Sequence, residues 1–324
     1  MSGLPRGFAP HRIVLLKPCC IGDVLMTTPL ARSLKAAWPA ATIDWAVGGH
    51  SRAVLAGNPD VHALLDASGT MRGDLSLGAI VRLVLALRRG RYDAAFIAER
   101  SPLPAAIARL AGIPVRVGLD SGGRGRLHTV RVPAQPDDPR HETDIYLDLA
   151  RAVGAPATDP RPVFVPSPAD VEAARAVVEA VETARGGPLP RPWLIVHPGG
   201  GQNPGAEHLA KRWPAARFGV IAARVAARLG GSAILVGGPD DVRLGGDVLA
   251  GAVADRADRA DIGPDGPDEP GGRDRVVDAT GRLSLGATAA LVAHADAYLG
   301  NDSGVAHLAA AVGTPVVAIF GPTS

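Results

Sequence analysis

Aromatic residues make up only 4% of this 324-residue sequence, too few to build the stacking platforms that hold single-stranded nucleic acid. An excess of one charge is missing as well. Thirty-four Lys and Arg stand against 32 Asp and Glu, a net charge of +2, so nothing drives the chain electrostatically towards DNA or RNA and no nucleic-acid partner is expected. Cysteine occurs twice, as the adjacent pair Cys19-Cys20. Neighbours cannot tie distant segments together, and no CxxC or Cys/His spacing offers a metal site, so thiols in a reduced, cytoplasmic setting are expected. The N-terminal MSGLPRGFAPHR lacks the apolar core of a secretory signal. No run approaches eighteen uninterrupted apolar residues, and the one around 81–87 is bounded by arginines. A bilayer-spanning helix is therefore not expected; peripheral association with a membrane is the most that fits. Lysine is scarce too: Lys17, Lys35 and Lys211 are the only three.

What the chain does have is apolar content of 47%, enough for two ordinary domain cores. Its dominant rhythm is a short β-branched run, a Gly/Asp turn and then a helical stretch. Strands are expected at 13–16, 43–47, 94–98 and 115–119, with helices at 24–38, 77–88, 104–111 and 142–153. A proline-rich stretch at 154–168 reads as a linker, after which the rhythm restarts. Strands are then expected at 193–196, 233–236, 276–278, 297–299 and 316–320, and helices at 214–229, 240–253, 285–293 and 304–312. Residues 255–275, rich in Asp, Gly, Pro and Arg, read as a solvated surface insertion. The pattern predicts an α/β fold of two domains, 1–165 and 166–324, each with a parallel sheet, and a ligand cleft between them at the strands' carboxyl ends.

Three strand-to-helix turns share small residues, a carboxylate and an exposed helix N-terminus, a combination that favours anions. In Lys17-Pro18-Cys19-Cys20-Ile21-Gly22-Asp23, Asp23 reads either as an N-cap or as a general base at the cleft mouth. In His197-Pro198-Gly199-Gly200-Gly201, followed by Lys211-Arg212-Trp213-Pro214, the glycines let backbone amides approach phosphate and the two cations add charge. No GxxxxGK[ST] motif occurs, so this is not a P-loop. In Gly300-Asn301-Asp302-Ser303-Gly304-Val305-Ala306-His307, Asp302 or Ser303 could cap the helix, and His307 could face the core or a ligand.

Taken together and in order, these turns resemble glycosyltransferase family 9, the ADP-heptose:lipopolysaccharide heptosyltransferase group. The resemblance runs over almost the whole chain. It includes Lys17 with Ile21-Gly22-Asp23-Val24-Leu25, Thr28-Pro29-Leu30, His197-Pro198-Gly199, Lys211-Arg212-Trp213-Pro214 and Gly237-Gly238-Pro239. Thr280-Gly281, Leu283-Ser284-Leu285, Asn301-Asp302-Ser303-Gly304, His307-Leu308-Ala309-Ala310 and the closing Gly313–Thr323 segment complete it. It implies a GT-B architecture, with two Rossmann-like domains whose parallel sheets face a central cleft, the acceptor on the N-terminal domain and the nucleotide-sugar donor on the C-terminal one.

Carried over by residue, the resemblance implies inverting, metal-independent transfer of a heptose or related sugar from a nucleotide-diphosphate donor, ADP-heptose or another nucleotide sugar. The acceptor would be a lipopolysaccharide-core or other cell-envelope glycan, no cofactor would be needed, and the protein would be cytoplasmic, at most peripheral on the cytoplasmic face of the inner membrane. Asp23 would be the general base and Lys211 the cation on the leaving diphosphate. His197, Gly199, Gly200, Arg212, Asp302, Ser303, Gly304 and His307 would bind the donor. Asp240 or Asp241 would contact the ribose, and Cys19-Cys20, where serines are frequent, would act in packing. On the acceptor side, Lys17 is a candidate. Arg116, Arg124, Arg126, His128 and Arg131 surround a Gly-rich loop that reads either as a solvated loop or, through Arg124 and Arg126, as a site for a phosphorylated or carboxylated glycolipid. Family members continue past the position of Ser324, so a truncated C-terminal end is expected. Two other readings stand beside transfer: a GT-B nucleotide-sugar epimerase or hydrolase, and a non-catalytic nucleotide-sugar-binding protein.

Overall fold

The computed structural model describes residues 4–71, 73–135, 137–157, 159–203, 206–260 and 275–321. The chain divides into two compact units, Met1–Phe164 and Val165–Ser324. In the first, β1 (Arg12–Leu16) leads through a turn into α1 (Ile21–Ala37), and β2 (Thr42–Val47) is followed by the short α2 (Gly49–Arg52) and β3 (Ala63–Asp66). A small hairpin, β4 (Thr70–Met71) and β5 (Asp74–Leu75), precedes α3 (Leu77–Gly90); then come β6 (Ala94–Ile97), α4 (Pro102–Leu110), β7 (Val115–Asp120), β8 (Val130–Pro133) and α5 (Glu142–Arg151). Six strands pair in the order β3-β2-β1-β6-β7-β8, all parallel. The central strands are apolar runs because helices cover both faces. Ile13, Val14, Leu15, Phe96 and Ile97 are wholly buried.

The second unit repeats the plan. It begins with α6 (Pro168–Arg185) and β9 (Trp193–His197), followed by a two-residue hairpin of β10 (Gln202–Asn203) and β11 (Ala206–Glu207). After α7 (Ala215–Leu229) come β12 (Ser232–Leu235), α8 (Val242–Ala260), β13 (Val276–Asp278), α9 (Leu285–Ala293), β14 (Ala297–Asn301), α10 (Gly304–Ala311) and β15 (Val316–Ile319). The parallel order is β13-β12-β9-β14-β15. Strand order reverses beside β9, so the loops after β9, β12 and β14 open at one sheet end, where α/β sheets hold ligands.

Several expectations need correction. Helix α6 stands where none was expected, although Ser167 and Asp170 form a reciprocal capping box and Pro168 occupies its first turn. The edge strands β3 and β8 were also missed; both are short and only partly buried. Helix α8 continues to Ala260, which shortens the expected insertion; of that insertion, 261–274 lie outside the described residues. The linker stretch has no regular structure where described, yet its chain is pinned to the first unit. The Val163 N–H donates to Thr28 Oγ1 at 2.7 Å, and Arg32 pairs with Asp159 at 2.5 Å. Cys19 and Cys20, expected as thiols, are bonded to each other. That bridge closes within one dipeptide and so joins no separate segments.

Helices α7 and α8 approach so closely that two glycines are mandatory. A Cβ on Gly219 would lie 1.9 Å from the Val248 carbonyl oxygen, and one on Gly251 would lie 2.0 Å from that of Ala216. Backbone cannot yield as a side-chain tip can. Gly219→Ala is therefore expected to force the helices apart and destabilise the protein by about 1–3 kcal/mol, read as a lowered thermal midpoint.

Candidate functional site

Each unit gathers charged residues at the carboxyl end of its sheet. In the first, Lys17 follows directly on β1 and the chain turns into α1. Cys20 is the N-cap, with extended backbone and no side-chain cap bond, so α1 begins without a side chain on its free N–H groups. Asp23 is the third residue of the helix and not its cap, which separates the two readings of this position.

Lys17 is only 4% exposed, and a buried ammonium must be compensated. It donates to Glu99 Oε1 at 2.5 Å and lies 3.3 Å from Asp23 Oδ2. The Tyr146 ring of α5 sits 5.2 Å from its nitrogen. Burial works against the charge, but Tyr146, Glu99 and Asp23 outweigh it and hold the amine well above the ordinary lysine range. Lys17, expected as an acceptor contact, is thus paired within the first unit with Glu99 and Asp23. Beside it Arg100 pairs with Glu142, in the first turn of α5, at 2.9 Å. Sequence reasoning missed Glu99 and Tyr146. Glu99 is 82 residues from Lys17, and only the pairing of β1 with β6 brings the two together.

The basic loop after β7 resolves into separate roles. Arg116 donates to the carbonyls of Leu127 and Ile113, and His128 is buried against Gly118; burial holds the His128 imidazole below its ordinary range. Both are structural. Arg124 folds onto the Ser121 carbonyl at 2.9 Å while remaining exposed, and Arg126 is exposed. Among the described residues, no contact joins either arginine to the Lys17–Glu99–Asp23 cluster.

In the second unit, loops after β9, β12 and β14 meet around His197, itself 3% exposed. Its Nε2 lies 3.5 Å from Asp241 Oδ2 and its Nδ1 lies 3.4 Å from Ser303 Oγ. Asp241 also accepts from the Gly238 N–H at 3.0 Å. Burial raises its affinity for a proton, but bonds from His197 and Gly238, with the charges of His197 and Arg212, hold its carboxyl below the ordinary aspartate range. Asp241 therefore faces His197, whereas Asp240, the other residue expected near the ribose, is exposed. Gly199 and Gly200 are demanded by the same packing. A Cβ on the first would strike Asp241 Oδ1 at 2.3 Å, and one on the second would strike Ser303 Cβ at 2.7 Å, at a φ of +107°.

Asn301, fully buried, was quoted only as part of a motif, yet it joins the three segments. Its Nδ2 donates to the Pro198 and Gly199 carbonyls, and its Oδ1 accepts from the Trp213 N–H at 2.9 Å. Arg212 Nε donates to the Gly200 carbonyl at 2.7 Å, and Lys211 Nζ lies 2.9 Å from Asp302 Oδ2. Ser303 is the N-cap of α10 but makes no side-chain cap bond. His307 is half-buried within α10. The structure thus brings His197, Gly199, Gly200, Lys211, Arg212, Asp302, Ser303 and Gly304 to one sheet end: a Gly-rich loop, two cations and a helix N-terminus, suited to an anion such as diphosphate. Among the described residues, no group of three or more His, Cys, Asp or Glu is placed to hold a metal ion.

Comparison with known proteins converges on one family. The chain is 28% identical over 316 residues to lipopolysaccharide heptosyltransferase 2 of Escherichia coli K12, covering 97% of this chain and 83% of that one. Among solved structures, a family 9 glycosyl transferase from Veillonella parvula superposes with a TM-score of 0.74 at 22% identity, covering 97% and 81% of the two chains. The E. coli ADP-heptose lps heptosyltransferase II superposes at 0.70 and 24% identity, covering 97% and 86%. Both units therefore have the α/β fold of the GT-B glycosyltransferases. The sequence profile of glycosyltransferase family 9 (heptosyltransferase) matches residues 80–324, and with the turns described above this makes the chain a member of that family.

Proposed function

We propose that the protein transfers a heptose from ADP-heptose to a lipopolysaccharide-core acceptor in a single inverting displacement. The observation that carries this reading is Lys211, held by Asp302 beside the open N-terminus of α10 and the glycines after β9. Such a site neutralises a leaving diphosphate with an ammonium and backbone N–H groups, so the transfer is proposed to need no metal ion or cofactor. The second unit binds the donor, with Gly199, Gly200, Arg212, Ser303 and Gly304 around the phosphates. His197, fixed between Asp241 and Ser303, positions that turn, and His307 completes the donor side.

The first unit takes the acceptor. Asp23 accepts the proton of the attacking hydroxyl, whose oxygen forms the bond to the anomeric carbon as the bond to ADP breaks. The product sugar then carries the opposite anomeric configuration. Arg124 and Arg126 offer guanidinium forks to phosphate or carboxylate on the glycolipid. Arg124→Ala/Arg126→Ala is expected to raise the acceptor KM while leaving ADP affinity, measured by calorimetry, unchanged. Relatives named for lipopolysaccharide and ADP-heptose support both substrates.

The direct test is ADP release from ADP-heptose with and without extracted core-lipid acceptor, in EDTA, followed by the anomeric configuration of the product. Acceptor-dependent release insensitive to EDTA is expected. Release without acceptor would mark a hydrolase, and donor binding without turnover would mark a binding protein.

A further inference from the structure

Helix α3 is apolar on the side that faces away from its own core. Ala79, Leu83 and Leu87 are buried, as an amphipathic helix requires. On the opposite side Leu77, Val81 and Leu85 are 77%, 48% and 41% exposed. Four-residue steps place them in one row along the helix. Leu75, in the hairpin just before, extends the apolar surface at 60% exposure.

The charge on helix α3 itself has one sign. Between Leu75 and Tyr92 there is no Asp or Glu, but there are four arginines, Arg82, Arg88, Arg89 and Arg91. A chain of net charge +2 has therefore concentrated positive charge beside its most exposed leucines. Two exposed acids flank the helix: Asp74, in the hairpin, accepts from the Gly69 N–H, and Asp66, which also feels the Arg82 charge, accepts from the Ser68 N–H, so the arginines outnumber the acids by four to two. Among the described residues, no helix is long and apolar enough to cross a membrane, so insertion would be shallow.

We propose that α3 and the Leu75 hairpin form a docking surface for an anionic phospholipid bilayer. The leucine row would sink to the headgroup–acyl boundary and the arginines would pair with lipid phosphates, the division of labour of interfacial amphipathic helices. A second copy of the chain is the weaker fit, because a two-fold contact through α3 would set one arginine cluster against another. The proposal is independent of which sugar is transferred, since partitioning onto lipid needs no turnover.

The test is co-sedimentation of the 324-residue chain with vesicles of phosphatidylglycerol and phosphatidylethanolamine, and separately with phosphatidylcholine alone. Binding to the anionic vesicles, weakened by salt, is expected. Arg82→Gln/Arg89→Gln and Leu77→Gln/Val81→Gln/Leu85→Gln are each expected to weaken it about tenfold. All five side chains are exposed, so thermal midpoints and ADP affinity are expected to match the parent, and the arginine pair retains the test if the leucine triple unfolds. Equal binding to both vesicle types, or variants that bind as the parent does, would overturn the proposal. So would a concentration-dependent dimer that the leucine triple abolishes, because the row would then belong to a second copy.

Discussion

Replacing Asp23 with Asn is expected to lower acceptor-dependent ADP release by about 10²–10⁴-fold, the range over which a positioned general base acts. The substitution keeps the side chain's shape and removes its capacity to take a proton. Structural damage is expected to be small. Asp23 caps nothing, its side chain is 41% exposed, and Lys17 keeps its bond to Glu99. The loss of one negative charge in the first turn of α1 costs the helix about 0.3–1 kcal/mol. A variant that melts near the parent temperature, binds ADP normally and turns over slowly would assign Asp23 to the chemistry. Full activity in the Asn variant would remove the base from Asp23 and leave it only as the partner that holds Lys17.

That experiment bears on a distinction the sequence could not make. The capping and catalytic readings of Asp23 share one local pattern, a carboxylate at the start of a helix. They separate only when the boundary is known to the residue, and α1 begins at Ile21. Long-range partners were hidden for a different reason. Glu99 and Tyr146 reach Lys17 through strand pairing and helix packing, and no local spacing encodes either. Asp241 followed a Gly-Pro turn and so read as a ligand contact, yet packing against Gly199 and Gly237 turns its carboxylate towards His197. The central strands were legible because burial on both faces leaves an unbroken apolar run, as in Ile13–Leu16. The edge strands β3 and β8 lack that run, and β8 ends on Pro133, which an edge tolerates. Helix α6 carried a readable signal in Ser167-Pro168-Ala169-Asp170, but only Ala174 among its residues is buried, so its apolar periodicity is faint.

Lys211→Ala is expected to reduce turnover by about 10²–10³-fold, comparable to removing one strong electrostatic contact from a developing anion. The base of this side chain is fixed and its tip is free to respond. The Lys211 N–H donates to the His208 carbonyl at 3.0 Å, and Gly321 packs so closely that a Cβ there would lie 2.8 Å from Lys211 Cα. The ammonium touches Asp302 alone among the described partners, with 26% of the side chain exposed. A diphosphate arriving at α10 would meet an ammonium that needs only to swing from one anion to another. Removing that ammonium also leaves Asp302 unpaired beside the same anion, so the single variant combines a lost attraction with an added repulsion. Lys211→Ala/Asp302→Asn separates the two. If repulsion dominates the binding defect, the double variant recovers ADP affinity while turnover stays low; if Asp302 itself holds the sugar, affinity for ADP-heptose falls further while affinity for ADP recovers. Lys211→Arg keeps the charge but replaces a compact ammonium with a planar fork, and intermediate turnover is expected. Unchanged kcat in Lys211→Ala would move leaving-group stabilisation to Arg212 and the N–H groups of α10.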